Sequence, residues 1–166
     1  MTFTCEVCGA THAEETRDIR LSLPEPIFRI DEPEREQRAR VGDDLAVLQD
    51  REAERFFVRA LLELPIDGED GYFGYGSWIE VSPDDFATLG ELWHDEDGWR
   101  SAPFAGTLAN ELSPYAFTEG LPVQIRLRDV RLLPLVELDD TDHELVRAQQ
   151  IGISAHRAHQ LAETVR

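Results

Sequence analysis

Cys5-Glu6-Val7-Cys8-Gly9 places two thiols three positions apart near the start of the chain, and His12 follows closely. Two cysteines separated by two residues can aim both sulfurs at one ion, and the glycine after them lets the backbone turn tightly around it. A closed structural zinc site is tetrahedral, so Cys5, Cys8 and His12 need a fourth ligand from elsewhere. His143 is the leading candidate, His156 and His159 are alternatives, and His94 or a carboxylate stands behind them. The same pair admits a redox dithiol or two plain reduced thiols as rival readings. Its polar N-terminal setting, away from any junction of strand and helix, favours metal over redox chemistry. Zinc is therefore the expected cofactor, in a structural role.

Other constellations carry less. His156 and His159 share one face of a predicted C-terminal helix, where they could bind metal, move a proton or simply face solvent. Asp142-His143 sets a carboxylate beside an imidazole, yet an aspartate in the first turn of a helix is already explained by the helix dipole. Ser77, Ser113 and Ser154 lack the glycine setting of a nucleophile elbow, so no catalytic residue is assigned. Gly71-Tyr72-Phe73-Gly74-Tyr75-Gly76 is rich in glycine, but its neighbours are acidic and aromatic rather than cationic. It reads as the tight, packed start of a strand and not as a phosphate cradle. Trp78, Trp93 and Trp99 read as core or rim.

The chain has 166 residues, 34 of them acidic and 16 basic, for a formal charge of −18, and every basic residue is arginine. Between Arg59 and Arg100 there is no basic side chain, while eleven acids run from Glu63 to Asp97. Phosphate backbones and anionic headgroups bind through Lys and Arg, so nucleic acid and membrane are excluded as direct ligands. The charge favours a cation or a basic protein partner. The leading expectation is a non-enzymatic acidic protein-binding module with a zinc knuckle, of which an immunity or antitoxin-like protein is one concrete form. The alternative is a metal-dependent, hydrolase-like enzyme with an open zinc site built from Cys5, Cys8 and a histidine, a carboxylate serving as base. No apolar run approaches the ~18–20 residues that span a bilayer, and no basic segment leads into an apolar one. A cytoplasmic location is expected.

The elements that must position these residues follow from periodicity. Leu21–Ile30, with Pro24 and Pro26, reads as an extended connector. Pro33 opens a short solvated helix ending near Gly42. Leu45–Leu48 and Arg55–Leu64 form a hairpin; Phe56, Val58, Ala60, Leu62 and Leu64 share one face, and Arg55, Arg59 and Glu63 mark the other. Tyr75–Val81 is the next strand. Ser82-Pro83-Asp84-Asp85 caps a helix that ends near His94. Phe104–Leu108 and Val123–Leu127 are strands, and Pro134 makes Leu132–Leu138 an edge strand. Thr141 and Glu144 fit a capping box for a helix that stops near Gly152, and Ser154 caps a last one. The sum is an α+β fold with a mostly antiparallel sheet in the middle, helices toward both ends and a small N-terminal Cys-x-x-Cys knuckle. One domain is expected over residues 1–166, with 1–17 as a metal-knuckle segment packed on it. The edge near Pro134, or an aromatic patch at Tyr72–Trp78, would support a dimer.

Taken in order, several of these motifs resemble one bacterial family, domain of unknown function 2199. They are Cys5-x-x-Cys8-Gly9-x-x-His12, Phe56-Phe57-Val58-Arg59 leading to Leu64-Pro65-Ile66, Gly76-x-Trp78, Thr141-Asp142-His143-x-Leu145 and Gly152-Ile153-Ser154. The resemblance covers roughly residues 4 to 160. It implies a bacterial cytoplasmic protein and supplies no catalytic residues. It also suggests that some relatives carry a further cysteine where this chain has Ala46.

Overall fold

Twelve residues of β6 (Glu54–Pro65) and ten of β7 (Tyr72–Val81) form an antiparallel hairpin paired from Phe56↔Val81 to Pro65↔Tyr72. Alternation sends Val58, Ala60, Leu62 and Leu64 to one face, opposite Ile79, Ser77, Tyr75 and Phe73, and this face packs into the main core. The other face is not solvated as period-two reasoning expects. Phe57 and Trp78 are fully buried there, in a second apolar cluster with Ile27, Ala46 and Leu48. The computed structural model describes residues 2–4, 9, 11–13 and 17–164, excepting the side chains of 2–4 and 11–13.

A ring is closed on this hairpin. β7 pairs with β8 (Phe104–Leu108), β8 with β9 (Pro122–Arg126) and β9 with β10 (Leu135–Leu138), all antiparallel. β10 then returns to β6 in parallel, Leu135↔Leu61 and Val136↔Leu62. Five strands of alternating direction cannot close without one parallel pair, and β10–β6 is that pair. The two long strands share their outer edges between partners. β6 gives its first half to β5 (Leu45–Gln49), itself extended by β4 (Ala39–Val41). β7 accepts β3 (Asp18–Arg20) in parallel at Gly74–Gly76. Outside this sheet, β1 (Thr2–Thr4) and β2 (Thr11–Ala13) pair antiparallel, with Phe3 opposite His12.

The helices cover the ring. α3 (Pro83–Leu92) begins where the Ser82 hydroxyl accepts from the Asp85 amide at 3.1 Å, and its Phe86 ring lies 4.9 Å from that of Phe56. α4 (Glu144–Ile151) packs on β6 and β10. Its Gln149 side chain accepts from the Leu138 amide at 2.8 Å and donates to the Val136 carbonyl at 2.9 Å. α5 (Ala155–Glu163) is capped by Ser154, whose hydroxyl accepts from the Arg157 amide. Toward the N-terminus lie α1 (Glu25–Phe28) and α2 (Glu32–Arg38). The architecture is α+β with a barrel-like central sheet and helices in the N- and C-terminal regions. No helix among the described residues is long and apolar enough to cross a membrane.

Several local expectations are corrected. Leu21–Ile30 contains the turn of α1, because Pro24 and Pro26 stand where a helix start needs no amide donor and Ile27 buries completely. β10 is internal: Pro134 precedes it, offering only its carbonyl, which accepts from the Leu61 amide at 2.8 Å. The aromatic segment Tyr72–Trp78 is no surface patch, since Phe73, Tyr75 and Trp78 are at most 1% exposed. Thr141 does not cap α4, and its buried hydroxyl has no partner among the described residues. The Cys5/Cys8 knuckle falls outside the described residues.

Candidate functional site

Arg59 sits on the second face of β6, directly opposite Trp78. The guanidinium lies 4.4 Å from the indole centroid and the side chain is only 3% exposed. Stripping water from a guanidinium is costly, and backbone oxygens replace that water. Nε donates to the Asp43 carbonyl at 2.8 Å, and Nη1 donates to the carbonyls of Leu21 at 2.6 Å and Gly76 at 3.3 Å. Asp44 stands 3.7 Å from Nε. Burial lowers the Arg59 pKa and Arg20 lowers it further, while Asp44 and Asp43 oppose the shift. Nη2 has no acceptor among the described residues. Arg59 lines a cleft of about 490 Å³ between the β3 edge, the end of α3 and the β9–β10 connection.

The cleft gathers four of the sixteen arginines, Arg20, Arg59, Arg128 and Arg131, with only two acids, Asp18 and Asp44. In a chain of charge −18 its lining is therefore +2, four minus two. Arg131 is bidentate to Asp129, and Arg20 donates to the Asp43 carbonyl. Arg128 is held through Nε, which donates to the Leu133 carbonyl at 2.5 Å, and makes no ion pair among the described residues. Gly76 bares the floor beside Leu61, its register partner. Tyr72, Trp93, Leu132 and Leu133 supply apolar wall. Burial raises the Tyr72 phenol above its ordinary pKa, so it stands as a neutral donor. Planar cationic donors beside apolar wall are equipment for holding an organic anion.

Sequence reasoning placed the site elsewhere. His143 is the N-cap of α4: its Nδ1 accepts from the Leu145 amide at 3.0 Å, and its Nε2 lies 2.9 Å from the Ala116 carbonyl. The tautomer protonated at Nε2 satisfies both contacts and leaves no lone pair for a metal. His159 is buried and lies 3.3 Å from Glu163, and His94 is exposed beyond α3. Cys5 and Cys8 lie outside the described residues, as does the side chain of His12. Among the described residues no group of three or more His, Cys, Asp or Glu is placed to hold a metal ion. The zinc cofactor, the zinc-bearing binding module and the zinc enzyme are accordingly withdrawn. Arg59 was missed because alternation assigned it to solvent; the available signal was Trp78 in the neighbouring strand, an aromatic face for a buried guanidinium.

The tie from His143 to Ala116 also braces the loop between β8 and β9. Inside that loop Asn110 and Thr118 are at most 1% exposed. The Asn110 side chain accepts from the Trp78 amide at 2.7 Å and donates to the Leu23 carbonyl at 2.9 Å. The Thr118 hydroxyl accepts from the Leu112 amide and donates to the Asn110 carbonyl. Between these fixed points Phe117 adopts φ 57° and is 85% exposed.

Compared with known families, residues 4–153 match DUF2199, described as an uncharacterized protein conserved in bacteria. The chain belongs to the DUF2199 family. No curated protein and no solved structure matches it. The matched span contains every residue of the arginine-lined cleft and the His143-braced loop, but ends before α5. Family membership carries no activity, so function rests on the chemistry of these two places.

Proposed function

We propose that this DUF2199 chain is a ligand-binding domain whose arginine-lined cleft takes a small organic anion. The observation that carries the reading is Arg59, a 3% exposed guanidinium lining the cleft with Nη2 unpartnered among the described residues. Nη2 is not among the buried unpartnered atoms, so it reaches the solvent of the cleft, where an anion can replace water as its charge-assisted acceptor. The lining is dominated by fixed cationic charge and planar donors, four arginines to two aspartates, which supports binding of an anion. The test is to titrate the protein with acetate, benzoate and inorganic phosphate at constant ionic strength while following backbone amide resonances. At least one anion is expected to shift residues 18–20, 59, 72–76 and 128–133 saturably. Arg128→Gln, which spares the carbonyl ties of Arg59, is expected to weaken that binding. No saturable shift with any of the three, or shifts confined to other surfaces, overturns the reading.

A second reading, a basic protein partner, is supported by a separate observation. The exposed ring of Phe117 stands in a loop whose Glu111 and Glu119, with Glu25 of α1, act on Arg29 at the end of α1. Three carboxylates around one arginine leave a negative rim, and an exposed aromatic beside such a rim suits a lysine or arginine side chain. Protein isolated at low salt from its own host is expected to retain a basic polypeptide that Phe117→Ala and added salt both release. Retention by the variant, or no companion at all, contradicts it.

A further inference from the structure

The cleft reading fixes a charge; the charges and walls around it also select among anions. Arg131 is paired with Asp129, and Arg20 and Arg59 each stand 3.7 Å from a carboxylate, Asp43 and Asp44. Nη2 of Arg59 and the terminal nitrogens of Arg128 have no acceptor among the described residues, while both Nε atoms are taken by carbonyls. Asp18 and Asp44 stand in the same lining, and the half-buried Glu63 acts electrostatically on Arg128. A ligand with two or three negative charges meets these acids as well as the arginines. One with a single delocalised charge meets its need from two terminal guanidinium nitrogens. Carboxylate is the group with that charge and the planar pair of acceptors that guanidinium donors match.

The remaining wall argues for a body attached to that carboxylate. About 490 Å³ far exceeds an inorganic oxyanion and falls among ordinary small-molecule sites. Tyr72 and Trp93 are half-buried, and Leu132 at the rim is 49% exposed, so each has apolar surface left to cover. Gly76 puts no side chain on the floor between Leu61 and β3, and a Cβ there would touch the Ile19 carbonyl and Arg20 at 3.5–3.9 Å, so this part of the floor is shallow backbone that suits only a flat group. We infer that the cleft takes a monocarboxylate carrying a flat apolar body, an aromatic acid in its simplest form. The carboxylate meets Arg59 and Arg128, and the body lies along Gly76 between Tyr72, Trp93 and Leu132.

This inference rests on the anion-binding reading, and its experiment separates the two. Benzoate, benzamide, acetate and inorganic phosphate are titrated in turn into the full chain, following the same amide resonances and the indole N–H of Trp93. Benzoate is expected to bind at least about tenfold more tightly than acetate or phosphate, because only it covers apolar wall. It is expected to exceed benzamide, its neutral isostere, by a similar factor. Leu132→Ala, at an exposed rim position, is expected to weaken benzoate and leave acetate unchanged. Acetate or phosphate matching benzoate overturns the aromatic-acid assignment and leaves the anion site standing. Benzamide matching benzoate, or no probe binding, overturns both.

Discussion

Arg59 shows how one buried side chain can serve fold and site together. Its Nε and Nη1 replace lost hydration with three backbone carbonyls, from Asp43, Leu21 and Gly76. The Leu21 carbonyl also accepts from the Trp78 indole N–H at 3.1 Å. The residue thus ties the segment after β3, the approach to β5 and the floor of β7 to one point, leaving Nη2 toward the cleft. Glu63 lies two register positions further along the same face. Burial holds its carboxyl above the ordinary glutamate range; Arg128 opposes the shift and Asp18 adds to it. Folded chain therefore binds more protons than unfolded chain between about pH 4.3 and the raised value, and stability falls as pH rises through that window. Glu63→Gln removes this penalty. Its melting temperature is expected to track the wild type near pH 4 and to exceed it at pH 7. A difference that stays constant with pH contradicts the assignment.

At the scale of elements, the β8–β9 connection is as firmly held as a strand. Asn110, Thr118 and the His143 ring fix it from inside, and the carboxylate of Glu111 accepts from the amides of Thr118 and Glu119. Phe117 is left at φ 57° with its ring in solvent. The left-handed region costs a residue with a side chain roughly 1 kcal/mol, and a ring 85% exposed returns little by burial. Phe117→Gly is therefore expected to leave the free energy of unfolding unchanged or raise it by up to about 1 kcal/mol, measured by urea titration. A truncated core phenylalanine loses about 3–5 kcal/mol instead. A loss well above 1 kcal/mol for Phe117→Gly would mean that the ring is packed and is not a free contact.

For the whole molecule the decisive event is ring closure, which brings β8 hard against β7. A Cβ on Gly106 would meet Ile79 Cγ2 at 2.6 Å and the Glu80 carbonyl at 2.7 Å. Gly106→Ala forces that contact apart and is expected to cost about 1–3 kcal/mol. Gly90, inside α3, has nothing within 4 Å of its would-be Cβ. There the same change is expected to stabilise by about 0.5–1 kcal/mol through helix propensity. Urea titrations of the two variants test closure against a generic effect of alanine, and equal outcomes would contradict it. The same nonlocal pairing disperses the acids that the sequence crowds into 63–97. Glu69 pairs with Arg17 and Glu80 with Arg55, while the arginine-lined cleft opens on the outer face of the hairpin.

The sequence by itself determined what neighbouring residues can settle among themselves. Ser82 and Ser154 cap helices where expected, Gly152 stops α4 at φ 85°, and β5 and β6 lie close to their predicted spans. Each depends on side chains within about four positions of one another, so each is legible locally. Tertiary structure alone decided that β10 is internal, that the His143 ring is tied to the Ala116 carbonyl, and that Arg59 is buried. Pro134 looked like an edge because the parallel partner Leu61 lies far away in sequence; His143 looked like a ligand because Ala116 lies out of sight. Arg59 looked solvated because alternation says which side of a strand a residue takes, not what covers that side. Here the cover is Trp78, β3 and the segment leading into β5. Burial is a property of pairs distant in sequence, and that is why the cleft became visible only when the ring closed.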